Sequence, residues 1–258
     1  MSARAFPLAL GLALAVALSF LTLPVVAVFV DTGPGELVSS LGEEGALDAL
    51  RLSFETSAIA LALVVAVGTP AAYLLATRRF RGRAVAITLV ELPLVLPPAV
   101  AGIALLAALG PKGLIPGAGD QLVLQTAGVV LALAFVSSPF YIRQAVAAFE
   151  AVDARLLEAS RTLGRGEAAT FARIAIPVAR PGLAAGAALA LGRSLGEFGA
   201  TLLFAGSVRG VTQTAPLAIY ERFGSADFTG ALALSAVLVA VSLALLLTVK
   251  LVDARARG

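Results

Sequence analysis

Six long apolar runs, separated by shorter charged stretches, set the pattern of this chain. They cover residues 6–30, 54–77, 85–109, 122–142, 182–205 and 228–252. Each is near or above the roughly 18 residues that suggest a membrane-spanning helix. The expected fold class is therefore all-α integral membrane, with six transmembrane helices in one domain covering residues 1–258. The first run follows Arg4 and contains Ala15-Val16-Ala17, which mimics a signal cleavage site. It exceeds the roughly 7–15 apolar residues of a secretory signal, so a retained helix is expected. Pro24 near its end is tolerable in a membrane helix.

The polar punctuation refines the picture. Residues 31–51 hold Asp31, Glu36, Glu43, Glu44 and Asp48, with a turn signal at Gly33-Pro34-Gly35. The second helix is expected to start near Ala46. Its early polar residues Ser53, Glu55, Thr56 and Ser57 belong at the membrane interface or along a wet cavity. The third run holds Glu91 with Pro93, Pro97 and Pro98. Prolines remove backbone donors and bend helices, which a bilayer allows where protein or a cavity satisfies the freed carbonyls. Gly110-Pro111-Lys112-Gly113 opens a short turn-rich link to Asp120.

Composition agrees with lipid as the main solvent. The 258 residues are 59% hydrophobic and 14% charged, and the mean hydropathy is +0.97. Soluble domains are nearer half apolar and a quarter charged. There is no Cys and no His. That excludes disulfides, zinc sites built on Cys or His, thiol nucleophiles and imidazole bases. The net charge of +3 does not call for nucleic acid, because the basic residues cluster beside apolar runs.

The same clustering predicts orientation. With the N-terminus in the cytoplasm, fourteen Lys and Arg fall on that side: Arg4, the loop at 78–83, the stretch from Arg143 to Arg180, and the C-terminal tail. Four fall opposite, namely Arg51, Lys112, Arg209 and Arg222, and Arg193 lies within a run. Both termini are then cytoplasmic, as is the charged insert at residues 150–181.

That insert has helix grammar. Asp153 can cap a first helix carrying Leu156, Leu157, Ser160 and Leu163 at three- and four-residue steps. Gly164 and Gly166 break it. Glu167 suits the first turn of a second helix, where Phe171 and Ile174 share a face. Pro177 is expected to stop that helix, and Pro181 to start the fifth span. The prediction is a helix–turn–helix beneath the membrane, with small Ala159 and Ser160 letting another surface approach. An ordinary cytoplasmic loop, basic because of topology, is the plainer alternative.

Glu158-Ala159-Ser160, three residues, Gly164, nine residues, then Ile174-Ala175-Ile176-Pro177 resembles the EAA motif of ABC importer permeases. The usual form is E-A-A-x3-G-x9-I-x-L-P, so Ser replaces the second Ala and Ile replaces Leu. The resemblance implies the six-helix fold of type I importer permeases, with the insert as the coupling loop that docks on an ATPase subunit. Glu158, Ala159, Ser160, Gly164, Ile174, Ile176 and Pro177 are the implied coupling residues. The chain has two lysines, and neither Lys112 nor Lys250 sits in a G-x-x-x-x-G-K-[ST] phosphate loop. ATP and Mg are therefore expected on the partner ATPase, with no cofactor, metal or catalytic residue on this chain.

Gly192-Arg-Ser-Leu-Gly-Glu-Phe-Gly-Ala-Thr201 and Val211-Thr-Gln-Thr-Ala-Pro-Leu-Ala-Ile-Tyr220 look like the oxyanion branch of these permeases, most of all the molybdate type. Leu92 to Gly102, Gly110 to Gly113 and Ser138 to Ala145 agree with it, and the resemblance covers residues 50–250. Sulfate permeases share the G-E-F-G core, and tungstate is nearly identical to molybdate in size and charge. The resemblance implies a bacterial or archaeal cytoplasmic membrane, an ATPase dimer and an extracytoplasmic oxyanion-binding protein. It also implies a homodimer, since molybdate types usually pair with themselves and sulfate types pair two different permeases.

Ionisable residues inside spans are costly and usually face a bundle interior. Glu91, Arg193 and Glu197 are thus pathway or gate candidates, with Ser194 and Thr201 beside them. Arg193 and Glu197 are four apart and can pair, which also fits an internal strut. A passive anion channel would need no coupling loop. A membrane-embedded enzyme would lack imidazole, thiol and clustered carboxylates.

Overall fold

The computed structural model describes residues 5–31, 33, 35, 39, 42 and 45–257. Arg4, Pro34, Glu36, Glu43 and Glu44 lie outside the described residues. Every regular element described is helical. In chain order these are α1 Ala5–Val30, α2 Ala46–Thr77, α3 Arg83–Val95, α4 Pro98–Leu109, α5 Ala118–Leu122 and α6 Thr126–Glu150. Then follow α7 Ala154–Thr162, α8 Glu167–Leu195, α9 Gly199–Ala205, α10 Ala215–Gly224 and α11 Phe228–Arg257. Five helices are long and apolar enough to cross a bilayer, and the bent pair α3–α4 makes a sixth.

The core forms around α6, which packs on α2, α3, α8 and α9. Small residues set the closest approach. A Cβ on Gly68 of α2 would meet the Tyr141 ring of α6 at 2.9 Å. One residue on, Thr69 Oγ1 and the Tyr141 hydroxyl hydrogen-bond at 2.6 Å. In contrast, the apolar stretch of α1 is 0% buried, and its neighbour is α11. An apolar helix left uncovered by its own chain needs lipid or another subunit around it.

Three of the four early polar residues of α2 turn into the protein. Ser53, Thr56 and Ser57 are all buried within the chain. Ser53 Oγ accepts the Ala215 N–H at 2.7 Å. This supplies a partner for one of the free donors at the start of α10. Thr56 turns back on its own helix and donates to the Leu52 carbonyl at 2.6 Å. Glu55 alone of the four points outward, paired with Arg51 at 2.6 Å.

Two spans are not continuous helices. The third is two helices bent by 118°. Leu96 and Pro97 are extended at the bend, and Pro98 opens α4, where a missing N–H costs little. The fifth does not begin after a stop at Pro177. Instead α8 runs on from Glu167 through a π-turn at Phe171–Ala175. The Ile176 N–H reaches the Phe171 carbonyl five residues back. That wider turn makes room for the Pro177 ring, which in a regular α-helix meets the carbonyl four residues back. The helix then ends at Leu195, and α9 resumes at Gly199. The fourth span is also longer than expected, with α6 reaching Glu150.

Candidate functional site

The EAA-like segment is built on capping chemistry. Asp153 Oδ1 accepts the Arg155 N–H at 2.9 Å and starts α7. Such a cap contributes about 1 kcal/mol. At the other end the Gly164 N–H bonds the Arg161 carbonyl at 2.9 Å, and the Arg165 N–H bonds the Ser160 carbonyl at 3.1 Å. These are the two bonds of a Schellman motif, with Gly164 at φ +79°. Nothing lies within 4 Å of a Cβ placed there. Glycine is needed for the backbone conformation and not for space.

The two faces of α7 differ. Leu157 is buried in a cluster with Phe149, Val152, Ala175 and Ala179. Ser160 is buried as well, its hydroxyl 2.9 Å from that of Thr170 at the base of α8. It is therefore unavailable to an approaching surface, because its polarity is spent holding α7 on α8. Glu158 and Ala159 face outward beside Leu156, which is 47% exposed, and Leu163, which is 81% exposed. Ile174 and Ile176 are half-buried against the core, and Pro177 is exposed. The seven sequence-predicted residues thus divide into an outer surface and its mount.

The mount is completed by long-range contacts that join Phe171 and Glu167 to residues far off in the chain. Tyr73, Phe149 and Phe171 form an aromatic cluster with centroids 4.7 to 6.1 Å apart, tying α2, α6 and α8 together. Arg78 pairs with Glu167, and Arg83 with Glu150 at 3.0 Å. No local pattern links partners 67 and 89 residues apart, as in the two ion pairs.

The second site lies where two broken helices meet. A Cβ on Gly199 would come 2.8 Å from Pro98 Cβ, and one on Gly102 would come 2.9 Å from the Ala200 carbonyl oxygen. The α3–α4 bend and the α8–α9 break therefore touch at backbone distance. Glu197 sits in the break and is 1% exposed. Its Oε1 accepts the Ala200 N–H at 2.7 Å, and its Oε2 is 2.5 Å from Arg193 Nη2. A buried carboxylate is costly unless paired and hydrogen-bonded. Here one side chain joins the last turn of α8 to the first turn of α9. Ser194 is buried and donates to the Leu191 carbonyl at 3.0 Å. Thr201 is fully buried, and its hydroxyl has no partner among the described residues. Arg193, Ser194, Glu197 and Thr201 thus gather at one break. Glu91 does not join them: it pairs with Arg143 of α6 at 3.2 Å. Among the described residues no group of three or more acidic, His or Cys side chains is arranged to hold a metal.

Residues 68–258 match the family model described as binding-protein-dependent transport system inner membrane component. The chain belongs to this family. Family members among its relatives include a probable molybdenum ABC transporter permease protein of Haloferax volcanii, 37% identical over 234 residues. That alignment covers 91% of this chain and 86% of the relative. A molybdenum transport system permease protein of Mycobacterium bovis is 42% identical over 228 residues, 86% of each chain. Among solved structures, a bacterial ABC transporter involved in alginate import matches with a TM-score of 0.76 at 18% identity. The match covers 98% of this chain and 96% of that one. The family and the fold agree: this is the multi-pass permease component of an ABC importer, and the ATPase is a separate subunit.

Proposed function

We propose that this chain is half of the pore of an ATP-driven importer for molybdate or tungstate. Two copies enclose the pathway on their two-fold axis. An extracytoplasmic binding protein delivers the oxyanion, and alternating access releases it to the cytoplasm, where both termini lie. The outward face of α7 carries this reading. A short helix fixed at both ends presents Glu158, Ala159 and exposed leucines, with no partner for the Glu158 carboxylate among the described residues. Such a surface suits a docked ATPase, with Gly164 shaping its edge and Ser160, Ile174 and Ile176 holding it. The names of the molybdenum permease relatives support the substrate.

The α8–α9 break is the gate region in this scheme. Glu197 does not coordinate the anion: its Oε1 accepts a backbone N–H, its Oε2 is ion-paired with Arg193, and its charge repels a dianion. It holds the hinge in one arrangement, and Arg193 and Ser194 move with it. Uptake assays on the reconstituted permease, ATPase and binding protein test the whole scheme. Labelled molybdate and tungstate should enter only with ATP and the binding protein. Sulfate taken up in preference would assign the chain to the sulfate branch, and uptake without ATP would make it a channel.

A further inference from the structure

We propose that the α2–α3 loop and the groove between α3 and α6 form a binding site for one anionic phospholipid. The loop places Arg78, Arg79, Arg81 and Arg83 within six residues. Arg78, Arg79, Arg83 and Glu150 line a cavity of about 490 Å³ there. Arg78 is neutralised by Glu167 and Arg83 by Glu150. Arg79 has no ion pair or hydrogen bond among the described residues, so the cavity keeps an unspent guanidinium. Such a group matches a phosphate diester in shape and charge.

The cavity has an apolar continuation. Glu150 also lines a second cavity of about 140 Å³, whose walls are Leu75, Ile87, Val90, Ile142 and Val146. The two cavities together follow α3 from Arg83, in the first, to the Glu91–Arg143 pair, in the second. Eight residues at about 1.5 Å each make this path about 12 Å long. One leaflet's hydrocarbon is about 15 Å deep. A headgroup at Arg79 with an acyl chain along Ile87 and Val90 therefore fits the depth available. The neighbouring exposed residues Phe80, Val85 and Leu89 give the lipid an apolar surround. Basic pockets between helices on the cytoplasmic side are suited to anionic headgroups.

The native leaflet follows from the orientation proposed above, but lipid selectivity itself does not depend on it. The permease–ATPase complex is reconstituted in nanodiscs of phosphatidylcholine with a minority of phosphatidylglycerol, and co-purifying lipid is quantified. Wild type should enrich phosphatidylglycerol, and R79Q should lower the enrichment about tenfold, as expected for losing a charge-assisted hydrogen bond to the phosphate. R81Q removes the same charge from the same loop but lies outside the cavity lining, so it should change little. I87W, which fills the groove, should lower retention of either lipid there. Equal losses for R79Q and R81Q would reduce the effect to general surface charge and overturn the site. Displacement of the lipid by millimolar inorganic phosphate would make it a free-anion site, also against the proposal. So would protection of residue 79 by the ATPase without any lipid enrichment. The chain has no Cys, so labelling R81C with an impermeant maleimide reads the orientation separately.

Discussion

The coupling segment and the α8–α9 break both put charge into an otherwise apolar chain, but they use it in opposite ways. On α7 the charged residue of the motif, Glu158, is exposed, and its side chain bonds nothing among the described residues. At the break Glu197 is 1% exposed, with one oxygen on a backbone N–H and the other on Arg193. An exposed unpaired charge costs the fold little and is free for a partner. A buried one must be paired and so becomes part of the framework. Substitution should therefore separate the two regions cleanly.

The largest effect is expected at Glu197. Glu197→Ala leaves the Ala200 N–H without its acceptor and Arg193 without its counter-charge. Breaking a buried pair costs about 3–5 kcal/mol, and the low end applies because Arg193 is a quarter exposed. Thermal unfolding in detergent should show a markedly lower melting temperature. Glu158→Ala should change stability by about 0.5 kcal/mol or less, yet abolish transport-stimulated ATP hydrolysis in the assembled transporter. If Glu158→Ala melts early while Glu197→Ala does not, the assignment of framework and surface is reversed.

An intermediate effect is expected at Gly164. Alanine must there adopt the left-handed region, at a cost of about 1–2 kcal/mol. The surroundings are open, so the strain falls on the last turn of α7 and not on the core. ATPase coupling should weaken while the global melting temperature moves little, since α7 is a short peripheral helix. A second substitution at the same position sharpens the point. Asn tolerates this conformation better than Ala, so Gly164→Asn should recover part of the coupling.

The same division explains what was readable in the linear chain. Long apolar runs give helices wherever the backbone is regular, and the Asp153 cap and the Gly164 turn are local signals with local causes. The breaks were less visible. Pro93, Pro97 and Pro98 announced a bend but not its 118°, which depends on α4 packing against α9 at Gly102 and Gly199. Pro177 looked like a stop because a proline clashes in a regular α-helix, and the π-turn that accommodates it has no sequence signature. Arg193 and Glu197 were rightly seen as neighbours, but their spacing did not reveal that the helix ends between them. Ser53 looked wet because its partner, the Ala215 N–H, comes from 162 residues away, and Thr56 because its partner is the Leu52 carbonyl of its own helix.

Ser160 gives the smallest and most discriminating test. It stands where the motif usually has Ala, and its hydroxyl bonds that of Thr170 instead of facing a partner. Ser160→Ala restores the motif residue but leaves the buried Thr170 hydroxyl without this bond, for a loss of about 1 kcal/mol. Removing both hydroxyls with Ser160→Ala and Thr170→Val avoids the orphaned group, so the double variant should be no less stable than Ser160→Ala alone. Coupling should stay near wild type in both, because the outward residues Leu156, Glu158 and Ala159 are unchanged. If Ser160→Ala alone abolishes coupling at unchanged stability, Ser160 belongs to the docking surface, and α7 must rotate when the ATPase binds.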